Sequence, residues 1–149
     1  MRAVIQKVAH AKVIVEGETI GQIQKGIMVL IGLKTTDDEK VMVYILNKII
    51  NMRLFEDENE KMNLSLLDVL GELLIVPNFT LYGDARKGNR PSYSNASTPD
   101  QASFQFEKFV KLAKKTKLVI QTGKFQAHMK VEILNDGPIT LLLDSDKNI

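Results

Sequence analysis

Short polar turns separate runs of apolar residues in the first part of the chain. The runs are Arg2 to Val8, Ala11 to Val15 and Thr19 to Ile23, all rich in β-branched residues. Glu16, Gly17 and Glu18 between the last two runs predict a hairpin turn. A continuous apolar run, Ile27 to Ile31, predicts a central strand that is buried on both faces. The fold is therefore expected to open with a strand meander.

Two segments place apolar residues at helical spacing. The first begins with Thr36-Asp37-Asp38-Glu39, which has the form of a capping box with Thr36 as the N-cap. The second begins with Thr98-Pro99-Asp100-Gln101 and should run to about Lys115. Their apolar stripes predict core-packing helices and no chemistry. These stripes are Val41, Tyr44, Ile45, Leu46, Ile49 and Met52 in one helix, and Phe106, Phe109, Leu112 and Ala113 in the other.

Strands also dominate the remainder. Leu118 to Gln121, Met129 to Leu134 and Ile139 to Asp144 are predicted strands, and Asn135-Asp136-Gly137-Pro138 should break the chain between the last two. Separate helices inserted between runs of strands favour an α+β fold. We expect one domain over residues 1–149, with a mainly antiparallel sheet that is either open or curled into a barrel.

The rest of the chain is organised around Glu72 to Tyr93, where an apolar strand runs directly into a polar, basic loop. The apolar part is too continuous for a half-exposed strand, and Pro77 inside it suits a sheet edge or mouth. A rigid strand that carries a polar loop is typical of a binding or catalytic site. An ordinary edge strand followed by a solvated basic turn would have the same composition. The polar residues are Asn78, Thr80, Tyr82, Asp84, Arg86, Lys87 and Arg90.

The composition indicates the compartment of the protein and the charge of its partners. The chain has no Cys, and its N-terminal residues form neither a signal-like apolar segment nor a run long enough to span a bilayer, so we expect a cytoplasmic protein without membrane contact. The net charge is only +2, but Arg86 to Lys130 holds ten basic residues against two acids. This segment is either a phosphate-facing surface or, where five lysines fall on or just after a helix, a solvated helix face.

The side chains of this sequence support few catalytic mechanisms. His10 and His128 stand alone, so no metal site is predicted. A triad of Ser92, His128 and Asp84 can be imagined, but their spacing does not support it. Thr80 could be a nucleophile, although no base lies near it in the sequence. The strand end instead offers the backbone N–H groups of Asn78, Phe79 and Thr80, which could hold a developing oxyanion.

Several motifs resemble the D-aminoacyl-tRNA deacylase family. They are FTLYGDARKGNRPSY after the buried strand, NDGPIT near the C-terminal end, KIINMRLFEDENEKMNLS, and TGKFQAHMKVEILNDGP. The likeness extends along essentially the whole chain. It implies a homodimer with active sites at the subunit interface. It also implies an enzyme without a cofactor that hydrolyses the ester between a D-amino acid, or glycine mischarged on tRNA(Ala), and the tRNA 3′ end.

The resemblance also implies roles for individual residues. Pro77, Asn78, Phe79, Thr80 and Leu81 would line the pocket, with catalysis assigned to Asn78, Phe79 and Thr80. Gly137 and Pro138 would enter from the partner subunit as a cis turn that excludes L-amino acids. Phe125 would stack on the terminal adenine, and Met129 would form part of the pocket wall. Three basic residues would contact the tRNA: Arg86, Lys87 and Arg90.

The chain departs from the family pattern at four positions: Pro77 and Asn78 stand where the family has Ser and Gln, Lys7 where Arg is common, and Gln126 where Gly is common. Lys cannot make the bidentate contacts of Arg. Two alternatives therefore remain beside the deacylase. One is a non-catalytic or respecialised module that binds the tRNA acceptor end, and the other is a Thr80-dependent hydrolase of a different D-amino acid ester.

Overall fold

The structure is a computed structural model that describes residues 1–149. The chain forms eight strands and two α-helices. This confirms the predicted α+β class. In chain order the elements are β1 Arg2–Val15, β2 Glu18–Ile23, β3 Gly26–Gly32, α1 Glu39–Asn51, β4 Phe55–Glu56, β5 Met62–Leu64, β6 Glu72–Pro77, a 3-10 helix Phe79–Tyr82, α2 Pro99–Lys114, β7 Val119–Thr122 and β8 Lys130–Asp144.

The long strand β1 organises the main sheet. Arg2 to Val8 pair with β3, Ala11 to Val15 pair with β2, and β8 runs antiparallel along the other side of β1. The strand order is β2-β1-β3-β6-β7, with β8 off this path. The sheet curls until its two ends meet, because a Cβ added at Gly21 in β2 would lie 2.6 Å from the carbonyl O of Thr122 in β7. The main sheet is therefore a nearly closed barrel.

Two of the five strand pairings in the main sheet are parallel and three are antiparallel, so the prediction of a mainly antiparallel sheet holds in part. Strand β6 pairs in parallel with β3 on one side and with β7 on the other, whereas β1 is antiparallel to all of its neighbours. The cause is the position of the helices in the chain. Helix α1 lies between β3 and β6, and α2 lies between β6 and β7, so each helix belongs to a crossover that brings the next strand back in the same direction. The sheet is mixed.

Strands β3 and β6 are buried on both faces, as their continuous apolar runs predict. Ile27 and Val29 of β3 join the larger apolar cluster, which includes residues of both helices. Met28 and Leu74 point to the other face and join a smaller cluster with residues of β1 and β2. One layer of the core therefore lies under the helices and the other lies inside the curled sheet. No helix in the structure is long and apolar enough to cross a membrane.

Both helices lie where the apolar spacing predicts, but their caps differ from the predicted ones. Helix α1 is capped by Asp38, whose Oδ1 accepts from the N–H of Val41 at 3.0 Å, so Thr36 as the N-cap was wrong. Helix α2 begins at Pro99 and ends at Lys114, close to the predicted end. Thr98 makes no side-chain cap, and Gln101 Nε2 donates instead to the carbonyl O of Thr35 at 2.8 Å.

The predicted break near the C-terminal end is a bulge within one strand. Val8 pairs with Asn135 and Gln6 pairs with Thr140, so two steps along β1 are matched by five steps along β8. The residues between them loop out of the ladder and contain a cis peptide bond between Gly137 and Pro138. The prediction of two separate strands was wrong because β1 pairs with β8 on both sides of the bulge.

Candidate active site at the end of strand β6

A cavity of about 610 Å³ opens at the carboxyl end of β6. Of the residues assigned to the pocket, to substrate binding or to catalysis, Pro77, Asn78, Phe79, Phe125 and Met129 line it, whereas Thr80, Leu81, Gly137 and Pro138 do not. Its walls are mostly apolar, and its size suits an amino acid with an adjoining nucleoside. The remaining lining residues are Leu30, Val76, Tyr93, Ala96, Ser97, Pro99, Ala102, Gln126, Ala127, His128 and Val131.

Strand β6 ends earlier than its apolar run suggests. Pro77 is its last residue, which places the proline at the mouth of the sheet as predicted. The chain then turns into the 3-10 helix, so Phe79 and Leu81 do not continue the strand. Asn78 starts this turn, and its Oδ1 accepts hydrogen bonds from both the N–H and the hydroxyl of Thr80. Phe79 is left 58% exposed at the cavity.

The three N–H groups suggested as oxyanion donors are not equally free. The N–H of Asn78 donates to the carbonyl O of Ile31 at 2.8 Å, and that of Thr80 donates to Asn78 Oδ1 at 3.2 Å. The N–H of Phe79 donates to neither a side chain nor a loop carbonyl. The expectation that all three are available was therefore wrong for Asn78, whose N–H continues the pairing with β3. Among the three, only the N–H of Phe79 is left without such a partner.

The opposite wall of the cavity is formed by residues that come after β7 in the chain. Phe125 packs against Phe106 of α2 at 6.2 Å between ring centroids, and Met129 Sδ accepts from the N–H of Lys124 at 3.3 Å. Gln126 adopts φ +60°, a left-handed conformation that favours Gly. Gly123 allows this wall to approach β6 closely, because an added Cβ would lie 3.3 Å from Pro77 Cδ, and it also leaves room for Met129, whose Sδ would lie 2.8 Å from that Cβ.

The Gly137–Pro138 turn lies outside this cavity and is exposed. Asn135 holds it, because Asn135 Oδ1 accepts from the N–H of Ile139 at 2.9 Å and Asn135 Nδ2 donates to Thr140 Oγ1 at 3.0 Å. Gly137 has φ +133°, and a Cβ there would lie 2.7 Å from Ile139 Cγ1. Glycine is therefore required at this position.

Lys7 supports the same turn from beneath. Its side chain is only 2% exposed, and its Nζ donates to both carboxylate oxygens of Glu56 at 2.7 and 2.8 Å. Asp136 Oδ2 lies 3.7 Å from the same Nζ. The hydrogen bond from Lys7 lowers the pKa of Glu56. Lys7 thus has carboxylate partners on both sides, one in β4 and one in the bulge of β8.

The basic residues predicted to contact tRNA lie on an exposed loop. Backbone hydrogen bonds between Asp84 and Ser92, at 2.8 and 2.9 Å, close this loop at its base. Arg86 donates to Asp84 and holds the pKa of that carboxyl at about 2, whereas Lys87 and Arg90 form no ion pair. We call residues 84–92 the basic loop.

The imagined triad is absent. Asp84 bonds to Arg86 and Ser92 Oγ donates to Ser94 Oγ at 3.3 Å, so neither bonds to His128. No group of three or more His, Asp or Glu side chains is arranged to hold a metal ion.

Tyr93, Ser97 and His128 line the cavity but were not predicted as residues of the binding site. Ser97 Oγ is buried without a hydrogen-bond partner. Only Tyr93 carried a signal in the sequence, as an aromatic residue directly after a basic loop. The positions of the other two depend on how the segments around residues 97 and 128 fold against β6.

Two solved structures place the fold in a known class. A structure described as c-Myc DNA Unwinding Element Binding Protein aligns with a TM-score of 0.91 at 41% identity, covering 97% of this chain and 98% of that one. A probable eukaryotic D-amino acid tRNA deacylase aligns with a TM-score of 0.75 over 95% of this chain and 97% of that one. At 17% identity, the second shows a common fold alone.

The sequence comparisons are more specific. The family described as D-Tyr-tRNA(Tyr) deacylase matches residues 4–144. A D-aminoacyl-tRNA deacylase of Thermosipho africanus (strain TCF52B) is 58% identical over 147 residues, and one of Clostridioides difficile (strain 630) is 55% identical over 148 residues. Each alignment covers 99% of both chains. The chain belongs to the D-aminoacyl-tRNA deacylase family, which confirms the resemblance.

Proposed function

We propose that this member of the family hydrolyses the ester bond between a D-amino acid and the 3′ end of tRNA, releasing the free D-amino acid and tRNA in the cytoplasm. One observation carries this proposal: the residues at the positions of the family's pocket motif, Pro77 to Phe79, lie at the end of β6 and line the cavity. The cavity also has room for the aminoacyl group and the terminal adenosine, with Phe125 stacking on the adenine and Met129 closing the wall.

Catalysis relies on positioning and on backbone donors. Water attacks the ester carbonyl, and the oxyanion that develops accepts a hydrogen bond from the N–H of Phe79. Asn78 holds Thr80 in place through its Oδ1, and the N–H of Thr80 becomes available to the oxyanion if it gives up its 3.2 Å hydrogen bond to Asn78 Oδ1. The ribose 2′-hydroxyl of the substrate assists the transfer of a proton from the attacking water to the 3′-oxygen, which leaves as the ester C–O bond breaks, because no side chain at the strand end is a good general base.

Stereochemistry is assigned to the Gly137–Pro138 turn of a second copy of this chain. The turn is exposed and rigidly held in one copy, yet it does not reach that copy's own cavity. In a homodimer, its carbonyls would lie against the α-carbon of the substrate and leave space for hydrogen alone on one face. D-amino acids and glycine, including glycine mischarged on tRNA(Ala), would fit, whereas the side chain of an L-amino acid would meet backbone.

The decisive assay is incubation with matched D- and L-aminoacyl-tRNA, with glycyl-tRNA(Ala) as a third substrate. We expect the D- and glycyl esters to be cleaved and the L-ester to persist. Equal rates on the D- and L-esters would refute the stereochemical assignment. Sedimentation should show a dimer, and monomer alone at micromolar concentration would contradict the shared site.

A mixing experiment tests the shared site directly. A Gly137→Ala protein and a Phe79→Pro protein are each expected to be nearly inactive. If the turn of one copy completes the cavity of the other, half of the sites in a mixed dimer are intact. Random exchange would then restore about a quarter of the wild-type activity. No recovery after verified subunit exchange would place both segments in the same copy's site.

One observation favours the alternative of a nucleic-acid binding module without catalysis. The neighbour at 41% identity is described as a DNA unwinding element binding protein. Binding of tRNA by the wild type, without cleavage of any D-aminoacyl ester, would support this alternative.

A further inference from the structure

We propose that Tyr93 and Phe79 form a base-stacking platform for the single-stranded 3′ segment of the substrate RNA, next to the nucleoside that enters the cavity. This inference rests on the proposed function and deepens it, because it states how the same site holds the RNA that carries the ester. The platform would take the bases that precede the terminal nucleoside.

Both rings lie at the cavity and remain open to solvent. Phe79 is 58% exposed and Tyr93 is 38% exposed. Their centroids are 5.0 Å apart and their planes are inclined by 69°, an edge-to-face pair. Apolar rings that line a cavity and stay this exposed contribute little to the core. They offer an apolar surface on which a planar base can stack.

Tyr93 is held in place before any ligand binds. A Cβ added at Gly83 would lie 3.0 Å from Tyr93 Cε1, so the ring rests against a bare stretch of backbone. The carbonyl O of Tyr93 accepts from the N–H of Ala96 at 3.0 Å, and the preceding residue closes the basic loop onto Asp84. A side chain that is already ordered loses little entropy when it binds.

Basic residues lie next to the two rings in the sequence. The basic loop begins two residues after the 3-10 helix that carries Phe79 and ends at Ser92, immediately before Tyr93. Lys87 and Arg90 on this loop form no ion pair, so they are available to phosphates. Aromatic rings beside unpaired cations are the arrangement that binds single-stranded RNA without strong sequence preference. Two side chains offer far less surface than a stable protein interface requires, which disfavours a protein ligand.

The test measures binding and needs no catalysis. The protein is titrated with a short single-stranded RNA that ends in CCA and carries no amino acid, and separately with adenosine. We expect the wild type to bind the RNA more tightly than adenosine. Tyr93→Ala should raise the Kd for the RNA by about 5- to 100-fold, the usual effect of losing one stacking ring. Tyr93→Phe keeps a ring and should retain most of the affinity.

Two further variants keep the result interpretable. Tyr44 is 41% exposed on α1 and does not line the cavity, so Tyr44→Ala is a matched control that should leave the Kd unchanged. Gly83→Ala should weaken RNA binding by displacing the ring of Tyr93 without deleting it. Thermal melting of each variant shows whether it folds.

The outcomes separate this inference from the proposed function. An unchanged Kd for the RNA in a folded Tyr93→Ala protein, or an equal loss in Tyr44→Ala, would overturn the platform even if the wild type cleaves D-aminoacyl-tRNA. Binding that depends on Tyr93 in a protein that cleaves no ester would support the platform and refute the proposed hydrolysis.

Discussion

The turn that ends β6 and the bulge that interrupts β8 are both held by an asparagine side chain, but they face different surroundings. Asn78 fixes the first turn, which opens into the cavity of its own chain. Asn135 fixes the second turn, which faces outward and away from that cavity. The first turn therefore has what a donor site needs within one copy. The second is exposed and lines no part of its own chain's cavity, as its proposed role in the site of a second copy requires.

The largest expected effect tests the first turn. Phe79→Pro removes the N–H that we assign to the oxyanion, and the 3-10 backbone at this position tolerates proline. We expect kcat to fall by about 10²- to 10³-fold, the usual loss for one oxyanion donor. Phe79→Ala is the control, because it removes the ring and keeps the N–H. If both variants lose the same kcat, the backbone donor is not the cause.

The second prediction tests the bulge. Gly137→Ala adds a Cβ within 2.7 Å of Ile139 and should shift the turn, so activity on D-aminoacyl-tRNA should fall by about a hundredfold. Gly17→Ala is the matched control. Its φ is also positive, at +80°, but an added Cβ meets nothing within 4 Å. Gly17→Ala should lose about 1 kcal/mol of stability and keep its activity, whereas Gly137→Ala should lose more, because its added Cβ also meets Ile139. Equal activity of the two variants would remove the turn from the site.

A smaller effect is expected at Thr80. Thr80→Ala removes the hydroxyl that donates to Asn78 and leaves the backbone N–H in place. Losing one such hydrogen bond should lower kcat by at most about tenfold. Loss of an activated nucleophile can cost on the order of 10⁶-fold. Measured kcat values of the variant therefore decide between positioning by Thr80 and the nucleophile alternative.

The smallest effect concerns the basic loop. Replacing Lys87 and Arg90 by Ala should reduce the slope of log K against log salt by up to about 0.7 for each phosphate that the protein no longer neutralises. Arg86→Ala should change the slope less, because Asp84 already neutralises that guanidinium. Titrations of tRNA across a salt series measure both slopes. Unchanged slopes in all variants would show that the loop is only a solvated turn.

Sequence patterns located the elements better than their pairing. The apolar runs of β3 and β6 and the stripes of both helices gave their positions, because burial dictates residue type directly. The patterns did not reveal that the helices cross over between parallel strands, since an apolar run looks the same in either orientation. The cap of α1 was missed because Thr36, Asp37 and Asp38 are all good cap residues, and only the turn geometry selects Asp38.

The site was predictable where it lies within one stretch of chain. Asn78 and Phe79 were predicted because a buried strand ends in polar residues, and the family resemblance assigned Pro77 to the pocket. Ser97 and His128 come from distant segments, and their approach to the cavity depends on packing that no local pattern encodes. The sequence also did not show which of the three N–H groups already has a hydrogen-bond partner, because that depends on the pairing of Asn78 with Ile31.

The basic loop is fixed at its ends and free at its tip. Two backbone hydrogen bonds between Asp84 and Ser92 join its ends, while its tip at Gly88 is exposed and has no atom within 4 Å of an added Cβ. Extra residues inserted at this tip would leave both the cavity wall and the β8 bulge in place. Under the proposed roles, RNA contact and the discrimination between D- and L-amino acids belong to separate segments, so we expect a redesigned tip to change RNA preference and leave stereoselectivity unchanged.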